Sequence, residues 1–221
     1  MNNNEKVLRF YFLATSLKNK IRQGSIYWNV SNIRRESIAE HVYDTCMLAI
    51  ALHSEFDIDA DIYTVILMLA IHELEEVVIG DITPFDGVCA DEKLKRGKLA
   101  VENILSSLKL KDDYIELTDE FNAGLTREAK FAYVCDKLDF VLQMMLYTDK
   151  GCITLEGAKE SPVVQSDAVQ AMIKSGVNSP KDVFYLYDRN KFIDNVEVTM
   201  LLDYAYELNL KEFVDKCLKS I

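Results

Sequence analysis

The chain has 221 residues and a formal charge of −11, since 36 acidic side chains outnumber 25 basic ones. With only 8 glycines and 3 prolines, it lacks the turn signals of a sandwich or barrel, so we expect an all-α fold in a single domain, residues 1–221. The acidic balance also argues against polymeric nucleic acid and anionic membranes as partners, because sequence-independent binding of phosphate groups requires a positively charged surface.

The cysteine pattern and the lengths of the apolar segments bear on where in the cell the protein is located. Five cysteines are scattered along the chain without a C-x-x-C pair, which is not the pattern of a disulfide framework or a zinc ribbon. The start of the chain is polar, unlike a signal peptide. The longest strongly apolar stretch, Ile62–Ile71, is ten residues and too short to span a bilayer. We therefore expect a cytoplasmic protein with no membrane partner.

The first two predicted helices are read from spacing and from a start signal. Apolar residues recur at three- and four-residue intervals over 7–21 and stop before Gly24. Ser37 and Glu40 form a capping-box pattern, in which each side chain bonds a backbone N–H of the first turn. This start places His41 on the buried face, one turn into the second helix.

A third segment, 61–79, is apolar nearly all round and is predicted to be the central helix, ending at Gly80. We expect about eight to ten helices in all. The remaining ones are predicted at 91–109, 113–123, 127–148, after Ser161-Pro162, after Ser179-Pro180, at 190–208 and at 211–219.

Acidic side chains crowd around one of the three histidines. On a continuous helix His72 and Glu76 are i, i+4 neighbours, and Glu73 lies within reach of both. A histidine on an apolar face is most often an ordinary core residue, as His41 would be in isolation. Carboxylates at a helix C-terminus, however, oppose the helix dipole, which favours a bound cation there. The alternative is a solvated acidic helix end, and for Glu75 we expect that simpler state.

Other catalytic arrangements are excluded or absent. The zincin motif H-E-x-x-H needs a second histidine where this chain has Glu76. His53 is expected at the surface or in the C-terminal turn of its helix. Asp136 flanks the apolar stripe of its predicted helix and needs a partner, either Lys137, another basic group or a metal. No glycine-rich phosphate loop or G-x-S-x-G motif is present. Metal-assisted hydrolysis is the chemistry that is left.

Four sequence blocks, in order, resemble the HD-domain phosphohydrolases and, more narrowly, their 5′-deoxynucleotidase branch. The resemblance covers about residues 20–150, and the last seventy residues match nothing that we can assign. The blocks are E-S-I-A-E-H at 36–41, H-E-L-E-E-V-V-I-G-D-I-T-P at 72–84, E-A-K-F at 128–131 and D-K-L-D at 136–139.

The resemblance implies a helical HD-like domain that commonly forms homodimers and hydrolyses deoxynucleoside 5′-monophosphates with a metal-bound water. Glu76 and Asp81 would be the catalytic acids that orient the water or assist proton transfer to the leaving oxygen. One divalent ion (Mn, Co, Fe, Ni or Zn) is implied, and the sequence does not choose among these metals. Its ligands would be His41, His72, Glu73 and Asp136.

The chain also departs from the family pattern. Glu73 replaces the aspartate of the family name and is one methylene longer, while Ser25 replaces a tryptophan and Gly97 a glutamate. Arg35 replaces a proline and, with Arg22, is our candidate for binding the substrate phosphate. These departures leave a second hypothesis open, a catalytically degenerate HD-domain protein that binds a nucleotide or a protein partner.

Overall fold

The computed structural model describes residues 1–220 and, within them, contains helices but no β-strand. Ten of its α-helices have eight residues or more, which confirms the expected all-α fold. None of the helices in this range is long and apolar enough to cross a membrane. The α-helices are α1 (Asn3–Thr15), α2 (Gln23–Tyr27), α3 (Ile38–Glu55), α4 (Ile62–Ile71), α5 (Glu76–Ile79), α6 (Ala90–Leu105), α7 (Lys111–Ala123), α8 (Arg127–Asp149), α9 (Asp167–Lys174), α10 (Pro180–Asp188), α11 (Val196–Glu207) and α12 (Leu210–Lys219).

Two helix starts form as their cap residues predict. The Ser37 side chain accepts a hydrogen bond from the Glu40 backbone N–H, and the Ser37 N–H donates to Glu40 Oε2 over 2.8 Å. This completes the capping box at the start of α3. Helix α10 begins at Pro180, preceded by Ser179, whose side chain accepts from the Lys181 N–H.

The predicted central helix is broken. Helix α4 ends at Ile71, and the following turn is held by i→i−3 backbone bonds, from Leu74 N–H to the Ile71 carbonyl and from Glu76 N–H to the Glu73 carbonyl, both 3.1 Å. Helix α5 then starts at Glu76. The break moves Glu76 from the end of one helix to the first turn of the next, where the dipole favours an acidic side chain.

Other boundaries also differ from the sequence prediction. The predicted helix after Ser161-Pro162 is wrong, because Ser161 Oγ accepts from the Val164 N–H in a turn and α9 begins only at Asp167. The segment 190–208 is divided, since a 3-10 helix over Arg189–Phe192 precedes α11. The first predicted helix ends early, and a 3-10 helix, Ser16–Asn19, follows α1.

The described chain divides into two compact units. The first comprises residues 1–23 and 36–136, and the second comprises residues 24–35 and 137–220. Helix α8 contributes to both units. The expectation of one domain over 1–221 stays a prediction.

The first unit packs α3 against α4, and α6 against α1, α5 and α7. One of its core clusters includes Ile71 and Leu74, the apolar residues on either side of His72 and Glu73. These two anchors bury the turn between α4 and α5 and fix its backbone. Their partners in the core cluster are Val101, Ile104 and Leu105.

The second unit is built around aromatic and ionic contacts that the sequence did not predict. Trp28 packs on Phe184 with 4.6 Å between ring centroids. A side chain at Gly24 would come within 2.6 Å of the Phe140 ring, so only glycine fits there without a shift. Asp149, the last residue of α8, accepts hydrogen bonds from Lys181 Nζ and from the first N–H of α12.

We expect Ser37→Ala to lower the free energy of unfolding by about 1 kcal/mol, because the first turn of α3 loses a cap. Urea denaturation followed by circular dichroism measures the change. Ser54→Ala, at the exposed end of the same helix, is the matched control and should stay within about 0.5 kcal/mol of the wild type. Equal losses in the two variants would contradict this account of the cap.

Candidate metal centre

The capping box positions the first histidine. His41 lies one turn after Ser37, and its side chain has no exposed surface. Its Nε2 stands 3.1 Å from Oδ1 of Asp136, which lies near the middle of α8. The start of α3 and the middle of α8 are thus joined by a buried polar contact.

The second histidine is oriented by the end of its own helix. His72 follows the last residue of α4, where the final carbonyls of a helix lack an intrahelical partner. Its Nδ1 bonds the Leu69 carbonyl at 2.7 Å, so Nδ1 carries the hydrogen and Nε2 presents a lone pair. Within residues 1–220 this buried Nε2 has no hydrogen-bond partner. The break after Ile71 therefore both places the imidazole and selects its tautomer.

Four side chains converge and form what we call the ligand cluster: His41, His72, Glu73 and Asp136. One ligand atom of each lies within 4.8 Å of those of the other three. Glu73 Oε1 is 3.6 Å from Nε2 of both histidines, and His72 Nε2 is 3.9 Å from Asp136 Oδ1.

These distances fit a single divalent ion. Ligands at about 2.1 Å from a metal stand roughly 3.0 to 3.4 Å apart in octahedral or tetrahedral geometry. The separations in the cluster need only small side-chain shifts to reach that range. Two imidazole nitrogens and two carboxylate oxygens suit a first-row transition metal, and the His72 Nε2, without a hydrogen-bond partner among residues 1–220, leaves a lone pair that could bind it.

The protonation states favour metal ligation. Burial lowers the pKa of His72, and the nearby Glu73 and Asp136 carboxylates only partly offset this, so the imidazole is neutral at pH 7. Burial acts to raise the pKa of Glu73, but the charge of a protonated His72 and the permanent charge of Arg22 lower it overall. A neutral imidazole beside an ionised carboxylate is the state that a cation requires.

Arg22 borders the ligand cluster. Its Nη1 donates to Glu73 Oε1 over 3.2 Å, and both side chains are 12% exposed. Burial acts to lower the pKa of Arg22, but Glu73, Asp81 and Asp136 raise it overall. The guanidinium therefore stays charged within a strongly acidic surrounding.

The two expected catalytic acids have different environments. Glu76 is 1% exposed and, in the described chain, its Oε2 has no hydrogen-bond partner. Burial, followed by the charges of Glu73 and Asp81, raises the pKa of Glu76 to about 10. Asp81 instead accepts a hydrogen bond from the Gln23 backbone N–H over 2.7 Å, so it holds the chain beside Arg22.

Glu75 does not simply face water, contrary to the sequence expectation. It is half-buried, and a Cβ placed on Gly97 would lie 3.4 Å from its Cγ. Burial, then Glu73, raises the pKa of Glu75 to about 7. Gly97 thus lies against the Glu75 side chain, a contact that no spacing rule in the sequence indicates.

Phe121, on α7, is a contact of the site that sequence reasoning missed. Its ring meets the His72 imidazole edge-on, with 5.3 Å between centroids. It covers one side of the imidazole with apolar surface. Sequence periodicity places Phe121 on a helix but gives no sign of which histidine it meets.

The remaining candidates lie elsewhere in the chain. Arg35 belongs to the second unit, where its guanidinium donates to the Val30 carbonyl and to Asn29 Oδ1 of its own loop. Ser25, also in that unit, is fully buried, and its hydroxyl has no hydrogen-bond partner within residues 1–220. His53 lies in the last turn of α3 and is not part of the ligand cluster.

Comparison with known proteins agrees with the motifs. A family model described as an HD domain matches residues 14–173. The chain is 30% identical over 147 residues to the 5′-deoxynucleotidase HDDC2 of Xenopus laevis, covering 66% of this chain and 71% of that protein. The 5′-deoxynucleotidase HDDC2 of Homo sapiens is also 30% identical, over 145 residues, with 65% and 69% covered.

Solved structures share the fold. The PH0347 protein of Pyrococcus horikoshii OT3 has a TM-score of 0.55 at 25% identity, covering 77% of this chain and 96% of that one. The predicted metal-dependent phosphohydrolase of Magnetospirillum magnetotacticum MS-1 has a TM-score of 0.57 at 22% identity, covering 90% and 94%. At that identity the second likeness concerns the fold alone. With the family model spanning most of its length, the chain belongs to the HD-domain family.

Proposed function

We propose that this protein is a metal-dependent phosphohydrolase that removes the 5′-phosphate from (deoxy)nucleoside monophosphates. The observation that carries the proposal is the buried ligand cluster, with two imidazoles and two carboxylates around one point. The names of the relatives at 30% identity support the phosphomonoesterase class and suggest the nucleotide substrate.

We assign His41, His72, Glu73 and Asp136 as ligands of one divalent ion. When bound, such an ion supplies Lewis acidity and lowers the pKa of water, so no covalent nucleophile is required. The protein keeps the imidazole ligands neutral and the carboxylate ligands ionised. It also orients the four donor atoms and excludes competing water. At His72, the Leu69 carbonyl orients the imidazole through the Nδ1 hydrogen bond, and the Phe121 ring covers one side of it edge-on.

Glu76 and Asp81 complete the proposed machinery. The buried Glu76 carboxyl, with Oε2 unbonded in the described chain, is assigned to proton transfer toward the leaving oxygen. Asp81 keeps the segment of Arg22 in place through the Gln23 N–H. Arg22, which borders the ligand cluster, is the candidate for the substrate phosphate, and a guanidinium has enough donors to bind two partners at once. Arg35 stays a candidate on the sequence alone.

The second candidate function is a catalytically degenerate HD-domain protein that binds a nucleotide or a protein partner. Its motivation is the set of departures from the family pattern, Glu73 together with Ser25 and Gly97. A homodimer and a cytoplasmic location are further predictions, each open to a direct measurement of mass in solution or of location in cells.

Metal binding is the first test. We expect His72→Ala to abolish tight binding of Mn²⁺, because it removes one of four donors, whereas His53→Ala should bind as the wild type does. Isothermal titration calorimetry of chelator-treated protein gives both affinities. Equal affinity in the two variants would remove His72 from the ligand set.

Turnover is the second test. Phosphate release from ribo- and deoxynucleoside 5′-monophosphates, with Mn²⁺ or Co²⁺ added, should occur in the wild type and cease with chelator.

Glu76→Gln should lower kcat by about 100-fold or more, because the side chain keeps nearly the same size but can no longer transfer a proton. Glu160→Gln, at an exposed position, is the control. Bound metal without turnover, together with turnover in Glu73→Asp, would instead favour the degenerate protein.

A further inference from the structure

The length of Glu73 poses a positioning problem. A glutamate has one more rotatable bond than an aspartate, so its carboxylate samples more positions before it binds a metal. In this chain Oε1 of Glu73 lies at equal distances, 3.6 Å, from the two histidine Nε2 atoms. A contact that selects this rotamer removes part of the ordering entropy before a metal arrives.

Arg22 makes that contact, and its backbone is held on both sides. Its N–H donates to the Glu36 carbonyl over 3.0 Å, next to the antiparallel bridge between Ile21 and Ser37. The following N–H, of Gln23, donates to the Asp81 carboxylate. The arginine is therefore presented to Glu73 from a fixed point of the backbone.

Resting on the metal site proposed above, we propose that Arg22 is a positioning residue that holds Glu73 as a metal ligand. Glu73 Oε1 has two lone pairs, so one can accept from Arg22 Nη1 while the other faces the histidines. Hydrogen-bond partners of metal-ligating carboxylates commonly contribute 10- to 100-fold in metal affinity, roughly the range expected here.

The direction of the effect separates this role from simple electrostatics. Arg22 carries a positive charge, so charge repulsion alone predicts that its removal tightens cation binding. A positioning role predicts the opposite, weaker binding. A role confined to the substrate phosphate predicts a higher KM for the nucleotide and an unchanged metal affinity.

The experiment is a double-mutant cycle between Arg22 and Glu73, measured as the Mn²⁺ Kd of the full chain by calorimetry. Arg22→Met and Arg22→Lys should each raise the Kd by about 10- to 100-fold. In the Glu73→Asp background the carboxylate is shorter by roughly 1.5 Å and no longer reaches Arg22, so the same changes should alter the Kd by less than about threefold.

Two further variants control for general loss of charge and for misfolding. Arg9→Met removes an arginine that donates to the Ile104 and Asn103 carbonyls on α6, and it should leave the Mn²⁺ Kd unchanged. Arg22→Lys keeps the charge and the aliphatic stem, so it serves if Arg22→Met does not fold by circular dichroism.

Tighter or unchanged Mn²⁺ binding in the Arg22 variants would overturn the inference, as would losses of the same size with and without the Glu73→Asp change. Absence of Mn²⁺ binding in the wild type would overturn it together with the metal site. Metal binding without phosphate release defeats only the proposed activity, because the cycle reads affinity and not turnover.

Discussion

The burial of ionisable side chains against one another is the constraint on which this molecule depends. Asp136 is buried, and the Glu73 and Arg22 side chains beside it are only 12% exposed and hydrogen-bonded to each other. Buried charges destabilise a fold unless they are paired or bind a metal. The segments that supply the cluster, on α3, after α4 and on α8, are held in register by caps, by buried apolar neighbours and by backbone bonds. Two carboxylates against one guanidinium leave a negative excess, which a divalent cation would offset.

The backbone geometry after Ile71 gives the neighbouring residues 72–76 different environments and different proposed roles. The helix break after Ile71 turns His72 so that Nδ1 meets a carbonyl, and it places Glu76 in the first turn of a new helix. Apolar anchors on both sides keep the turn buried. Neighbouring residues in sequence thus face different surroundings, and a metal ligand, a buried acid and a half-buried carboxylate arise within five positions.

The sequence carries enough information for the helices and for the members of the ligand cluster, but not for their orientation. The cap at Ser37 is readable because it depends on short-range spacing, whereas His41 and Asp136 are recognised as candidate ligands through their resemblance to the family motifs. The break after Ile71 is not, since neither glycine nor proline marks it and it depends on tertiary packing. The contact of Phe121 with His72 joins two helices, and no single-chain periodicity encodes such a partner.

The turn between α4 and α5 is held by bonds of the 3-10 type, whose geometry is poorer than that of an α-helix. Ile71 and Leu74 anchor this turn in the core, so its amides exchange only through a local opening that costs free energy. A ligand that binds only the closed form at 100 times its Kd stabilises that form by about 2.7 kcal/mol. Amide hydrogen exchange at Leu74 and Glu76 should therefore slow when a metal ion binds the ligand cluster. The exchange rate at these two amides would then measure how much of the site is occupied.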